Sequence, residues 1–129
     1  MHSYIIDDDH ISIFLTEQAL RKEGISEVAT FHSPEEALGH LVQRIPDKLP
    51  DLILLDLNMP TMSGWELLDA LVPYEGKLQN NTHVFILTSS LDLSDSIKSR
   101  EYNLVQGFIH KPLDREDIQA ILAHIQESH

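Results

Sequence analysis

The chain has 129 residues, enough for one domain that buries about two-thirds of its unfolded surface. It has no cysteine, which excludes disulfides and thiolate metal sites, and its 21 acidic against 9 basic side chains give a formal charge of −12, which argues against direct nucleic-acid binding and suits a divalent cation or a basic partner surface. The start, MHSYIIDDDH, has no basic n-region, and no stretch approaches the roughly 18 apolar residues of a membrane helix, so the expected compartment is the cytoplasm.

Tyr4-Ile5-Ile6 is a short apolar run that stops at three aspartates and reads as a first strand. Residues 10–23 read as a helix with Ile11, Phe14, Leu15 and Ala19 near one face, closed by Gly24. Val28-Ala29-Thr30-Phe31 is a second, weaker strand. Ser33-Pro34-Glu35-Glu36 opens the next helix: serine caps, proline suits the first turn, and Glu36 can close a capping box. Ala37, Leu38, Leu41, Val42 and Ile45 make its apolar face, and Pro46 to Pro50 is a loop.

Leu52-Ile53-Leu54-Leu55 is a continuous apolar run, as expected of a strand buried on both faces, and it ends at Asp56. Ser63-Gly64-Trp65-Glu66 is a second capping box, opening a helix through about Leu71. Residues 73–82 read as loop or as the frayed end of that helix. Val84-Phe85-Ile86-Leu87 is a fourth strand ending at Thr88, and Leu93, Ile97 and Arg100 lie on a less apolar helix. Gly107-Phe108-Ile109 is a short fifth strand ending at His110-Lys111-Pro112. Asp114 then caps a last helix with Ile118, Ile121, Leu122 and Ile125 at the spacing i, i+3, i+4, i+7. Strands alternating with helices imply an α/β fold with a parallel sheet covered on both faces. Residues 1–129 read as one domain, with no internal repeat.

Open parallel sheets bind ligands beyond the carboxyl ends of their strands. The polar residues there are Asp7, Asp8 and Asp9 after the first strand, Asp56 after the third, Thr88 after the fourth and Lys111 after the fifth. Carboxylates gathered at one rim repel, so one takes a proton or a cation sits between them. A set of hard oxygen ligands favours Mg²⁺, which works with phosphates; a lysine and a threonine hydroxyl are the groups that meet phosphate oxygens. Together they describe a phosphoryl-transfer site with Asp56, alone after the central strand, as nucleophile. None of the eight histidines stands in an H-x-x-x-H arrangement, so a histidine metal site is not expected; His10 reads as a helix start and Asp9 as a helix cap or extra surface charge.

IIDDDH at 5–10, LILLDLNMPTMSGWELL at 52–68, VFILTSS at 84–90 and GFIHKPL at 107–113 resemble the receiver domain of response regulators from two-component signalling, over essentially the whole chain. The resemblance implies a doubly wound, flavodoxin-like sheet of five parallel strands in the order 2-1-3-4-5 with five helices. It implies phosphorylation at Asp56 by a sensor histidine kinase or a phosphotransfer protein. Mg²⁺ (or Mn²⁺) would be bound by Asp8 directly, by Asp7 through water, by Asp56 and by the Asn58 carbonyl. Thr88 and Phe108 would be the switch hydroxyl and switch aromatic, and Lys111 the phosphate-binding lysine before a cis Lys111-Pro112 bond. Ser89 would leave room for phosphate, and Asn58 and Ser90 would tune the phosphoryl lifetime. A downstream effector protein is expected, with no direct nucleic-acid contact and no membrane.

The segment from Gln43 to Pro50 and the long, polar residues 73–82, which could extend the third helix or loop, look longer than is usual in that family, which bears on partners rather than chemistry. Two other readings use the same residues. A pseudo-receiver would bind partners without phosphorylation. A haloacid-dehalogenase-like phosphatase would need its nucleophile after the first strand in a D-x-D-x-T pattern, and Asp7-Asp8-Asp9-His10-Ile11 lacks that threonine.

Overall fold

The structure is a computed structural model that describes residues 1–45, 47–90 and 92–127. The strands are β1 (His2–Ile6), β2 (Glu27–Phe31), β3 (Leu52–Leu55), β4 (His83–Thr88) and β5 (Val105–His110). The helices are α1 (His10–Lys22), α2 (Pro34–Arg44), α3 (Gly64–Leu71), α4 (Leu93–Ser99) and α5 (Arg115–Glu127). The strands form one parallel sheet in the order β2-β1-β3-β4-β5.

Successive side chains of a strand point to opposite faces, so the LILL run of β3 feeds two cores. Ile53 and Leu55 join Tyr4, Ile6 and Val84 against Ala37 and Leu41 of α2 and Leu67, Leu68 and Leu71 of α3. Leu52 and Leu54 join Ile5, Phe85, Leu87 and Ile109 against Ile13 and Leu20 of α1 and Ile118, Ile121 and Ile125 of α5. β4 and β5 are longer than the sequence predicts. Gln106 is an extra residue between the Val84–Val105 and Phe85–Gly107 pairs, which breaks the two-residue alternation on which the strand reading rests.

Of the predicted apolar face of α1, only Ala19 packs against the core. Ile13, Thr16 and Leu20 are buried, whereas Ile11, Phe14 and Leu15 are 71%, 60% and 54% exposed. Asp9 caps the helix, its carboxylate accepting the Ile11 N–H, and that start sets the helical phase. A threonine inside the buried stripe hid the true face, while three outward hydrophobic residues imitated one. α4 is similar: Leu93 is 75% exposed and Ile97 54%.

Gly24 ends α1 as predicted, with φ of +87°, a left-handed conformation that glycine adopts without strain. The Ser63–Glu66 box is complete, with Glu66 N–H to Ser63 Oγ and Ser63 N–H to Glu66 Oε1 both 3.1 Å. Ser63→Ala is expected to cost about 1 kcal/mol, read as a lower urea midpoint with an unchanged slope. At α2, Ser33 accepts the Glu36 N–H, but the box does not close: Ser33 Oγ donates to Glu35 instead, at 2.8 Å. Asp114 and Asp117 close a reciprocal cap ahead of α5.

Residues 73–82 are neither loop nor fraying alone. A 3₁₀ turn (Val72–Tyr74) and one further helical turn (Glu75–Leu78) prolong α3, pinned by the buried Leu78. Trp65 on α3 stacks on Tyr102 with ring centroids 5.5 Å apart, Lys98 of α4 lies 5.2 Å over the indole, and the Tyr102 hydroxyl donates to Asp69 at 2.6 Å. No helix among the described residues is long and apolar enough to cross a membrane.

Candidate functional site

The rim is built by backbone pairing. Asp7 N–H donates to Phe31 O of β2 (3.0 Å), Asp56 N–H to Ile6 O of β1 (2.9 Å) and Lys111 N–H to Thr88 O of β4 (2.8 Å). The sheet hydrogen bonds therefore continue one step past the strands and bring Asp7, Asp56, Thr88 and Lys111 to the same end. Carboxylate oxygens of Asp7, Asp8 and Asp56 lie within 4.8 Å of one another, a group able to hold a metal ion. Asp7 and Asp56 are buried; Asp8 is more open to solvent.

Lys111 Nζ donates to Asp7 Oδ2 at 2.6 Å and stands 3.9 Å from Asp56 Oδ1. One ammonium thus faces two of the three grouped carboxylates. Burial first, and the neighbouring Asp7 charge second, push the Asp56 carboxyl up to about 6, against the pull of Lys111 and the Asn58 N–H. The folded chain then holds a proton on Asp56 between pH 4 and 6 that the unfolded chain has released. The sign follows: this stabilisation is complete below about pH 4 and disappears as pH rises through about 6. Urea unfolding in chelator is expected to show this loss, on the order of 2–3 kcal/mol, and Asp56→Asn to flatten that part of the profile.

The donor set fits a hard divalent cation: all-oxygen, partly open, and short of positive charge. The Lys111-Pro112 bond is cis, as expected. Asn58 donates its N–H to the Asp56 carboxylate. Thr88 is fully buried, and its hydroxyl stays within its own turn, accepting the Ser90 N–H (3.2 Å) and donating to Ser90 O (3.3 Å). Phe108 is half-buried in β5, opposite Ile86.

Two features escaped the sequence. Thr61, on the loop after Asp56, donates to Glu35 of α2 at 2.8 Å. The Ser33 and Thr61 hydroxyls hold the Glu35 carboxyl below its usual range. Nothing local signals a contact across 26 residues. The His10 and His32 rings pack at a 31° tilt with centroids 3.9 Å apart beside the rim. No two- or four-residue spacing joins them.

Comparison with known proteins agrees with this geometry. The family described as response regulator receiver domain matches residues 4–123. The DNA-binding transcriptional regulator NtrC of Klebsiella pneumoniae is 30% identical over 129 residues, covering 97% of this chain and 25% of that protein. The transcriptional regulatory protein CpxR of Escherichia coli K12 is 32% identical, covering 97% of this chain and 49% of that protein. The chain thus spans from a quarter to about half of these relatives. A two component response regulator from Cytophaga hutchinsonii superposes with a TM-score of 0.90 at 28% identity, covering 98% of this chain and 96% of that one. A response regulator receiver protein from Dyadobacter fermentans gives 0.86 at 28% identity, with 98% of each chain covered.

Proposed function

Since the chain belongs to the response regulator receiver domain family, we propose that it is a phosphorylation switch in which Asp56 accepts a phosphoryl group from a histidine kinase or phosphotransfer protein. The observation that carries this is the buried Asp56 carboxylate grouped with Asp7 and Asp8 beside Lys111. An Asp56 oxygen attacks phosphorus as the bond to the donor's imidazole nitrogen breaks, and the leaving imidazole is protonated. Asp7, Asp8, Asp56 and the Asn58 carbonyl would hold Mg²⁺, or Mn²⁺, which would supply charge neutralisation for the phosphoryl oxygens. Lys111 has one carboxylate partner at 2.6 Å and Asp56 within reach, so its ammonium is placed to take up a phosphoryl oxygen.

Thr88 leaves its turn with Ser90 to hydrogen-bond the phosphoryl group, and Phe108 moves from its half-buried position inward. Both changes bias the surface near α4 and β5, where Leu93 and Ile97 stand exposed for a downstream protein. The chain acts as one receiver domain over residues 1–129 in the cytoplasm. It is a switch that assists its own phosphorylation and dephosphorylation rather than an enzyme. The test is intact mass after incubation with Mg²⁺ and acetyl phosphate. A phosphoryl gain is expected; no gain with several small donors would mean partner binding without phosphorylation, and turnover of phosphomonoesters would mean a phosphatase.

A further inference from the structure

A second concavity lies at the opposite end of the sheet. His2 opens β1 and Pro50 precedes β3, whereas the acidic rim lies beyond the other ends of these strands. The cavity measures about 730 Å³, within the range of small-molecule sites. Its floor includes Tyr4 of β1, whose ring lies 5.7 Å from that of His40 on α2. Arg44, one turn after His40, ends α2, and its carbonyl accepts the N–H groups of both Asp47 and Lys48, which folds the chain back and puts Lys48 on the same wall.

The charge here runs against the rest of the molecule. In a chain of net charge −12, this wall has the two cations Arg44 and Lys48 against Asp47 as its acid, with the His40 and His2 rings beside them. His2 is already engaged by Glu27 at 2.7 Å. Arg44 and Lys48 take part in none of the ion pairs among the described residues, although carboxylates outnumber cations more than two to one. Burial raises the Tyr4 hydroxyl against the pull of the Arg44 charge, and burial followed by that same charge lowers His40, so the guanidinium is felt inside the cavity. Two unpaired cations beside two rings match an anion with an organic body: the guanidinium fork binds phosphate oxygens in pairs and the lysine adds a point charge.

We propose that this cleft binds a small phosphorylated metabolite of nucleoside-monophosphate size, its phosphate on Arg44 and Lys48 and its body against Tyr4 and His40. The site is separate from Asp56 and independent of its phosphorylation. The test is a titration of the full chain, without Mg²⁺, with AMP, adenosine or inorganic phosphate, followed by amide NMR. AMP should shift Ala29, His40, Arg44 and Lys48 and saturate, adenosine and inorganic phosphate should each bind more weakly, and Arg44→Gln should weaken AMP by about tenfold or more. Arg44 is exposed at a helix end, so that variant keeps its fold, and Lys48→Gln provides a second test at the same wall. Asp56→Asn should bind AMP as the native chain does. The proposal is overturned if these amides do not respond to about 10 mM AMP, if Arg44→Gln and Lys48→Gln leave the titration unchanged, or if the shifts centre on Lys111.

Discussion

Asp56→Asn is expected to abolish the phosphoryl mass gain and, in the same protein, to make the metal-free fold harder to unfold. The first effect is complete because a carboxamide has no anionic oxygen to attack phosphorus. The second comes from the rim itself. At pH 7 the native chain carries Asp56 ionised although burial and the Asp7 charge hold its carboxyl up to about 6. An amide of the same shape removes that repulsion and still accepts the Asn58 N–H. In chelator at pH 7 the gain should be on the order of 2 kcal/mol, shrinking as pH falls toward 4, where the native carboxyl is protonated. Urea midpoints at both pH values, with intact mass on the same samples, check the two effects separately. A variant that still takes up phosphate, or that unfolds at lower urea than the native chain at pH 7, would sink this account.

Gly64→Ala should damage fold and switch together. A Cβ at this position would lie 2.7 Å from the Asp56 carbonyl oxygen and 3.0 Å from Leu57 Cα. Those are backbone atoms and cannot rotate aside. Gly64 N–H also donates to Leu57 O at 3.0 Å, so the first turn of α3 is fastened to the chain just past Asp56. The methyl group must push the loop off β3 or the helix off the loop, at about 1–3 kcal/mol, and displacing Asp56 should slow phosphoryl uptake on the order of tenfold or more. Gly39→Ala is the control: the exposed position in α2 meets nothing within 4 Å, and alanine there should stabilise by about 0.5–1 kcal/mol. Thermal melts and the initial rate of mass gain distinguish the two. Equal melting points for Gly64→Ala and native chain would contradict the close approach.

Much of the fold could be read because its signals are local. The LILL run, the caps at Ser63 and Asp114 and the glycine after α1 each act within a few residues. The rim was readable because the strand-end rule turns a linear pattern into a spatial one, and Asp7, Asp8, Asp56 and Lys111 converge as that rule requires. The inward face of α1 was not readable, since Thr16 interrupts the buried stripe and Ile11, Phe14 and Leu15 present a false one. The resting engagements were also invisible: Lys111 spends its charge on Asp7, and Thr88 turns to Ser90. The Thr61–Glu35 bond and the Arg44–Lys48 wall exist only once distant segments pack together. The loop at Pro46 lies outside the described residues.

Trp65 is the one tryptophan of the chain, and it contacts both the Tyr102 ring and the Lys98 ammonium. Its emission therefore depends on where α4 rests against α3. A cation over an indole alters its excited state, and withdrawing Lys98 by a few ångströms changes intensity and wavelength without any dye being attached. The protein carries its own optical gauge, sited where α3 meets α4 and readable in a stopped-flow cell.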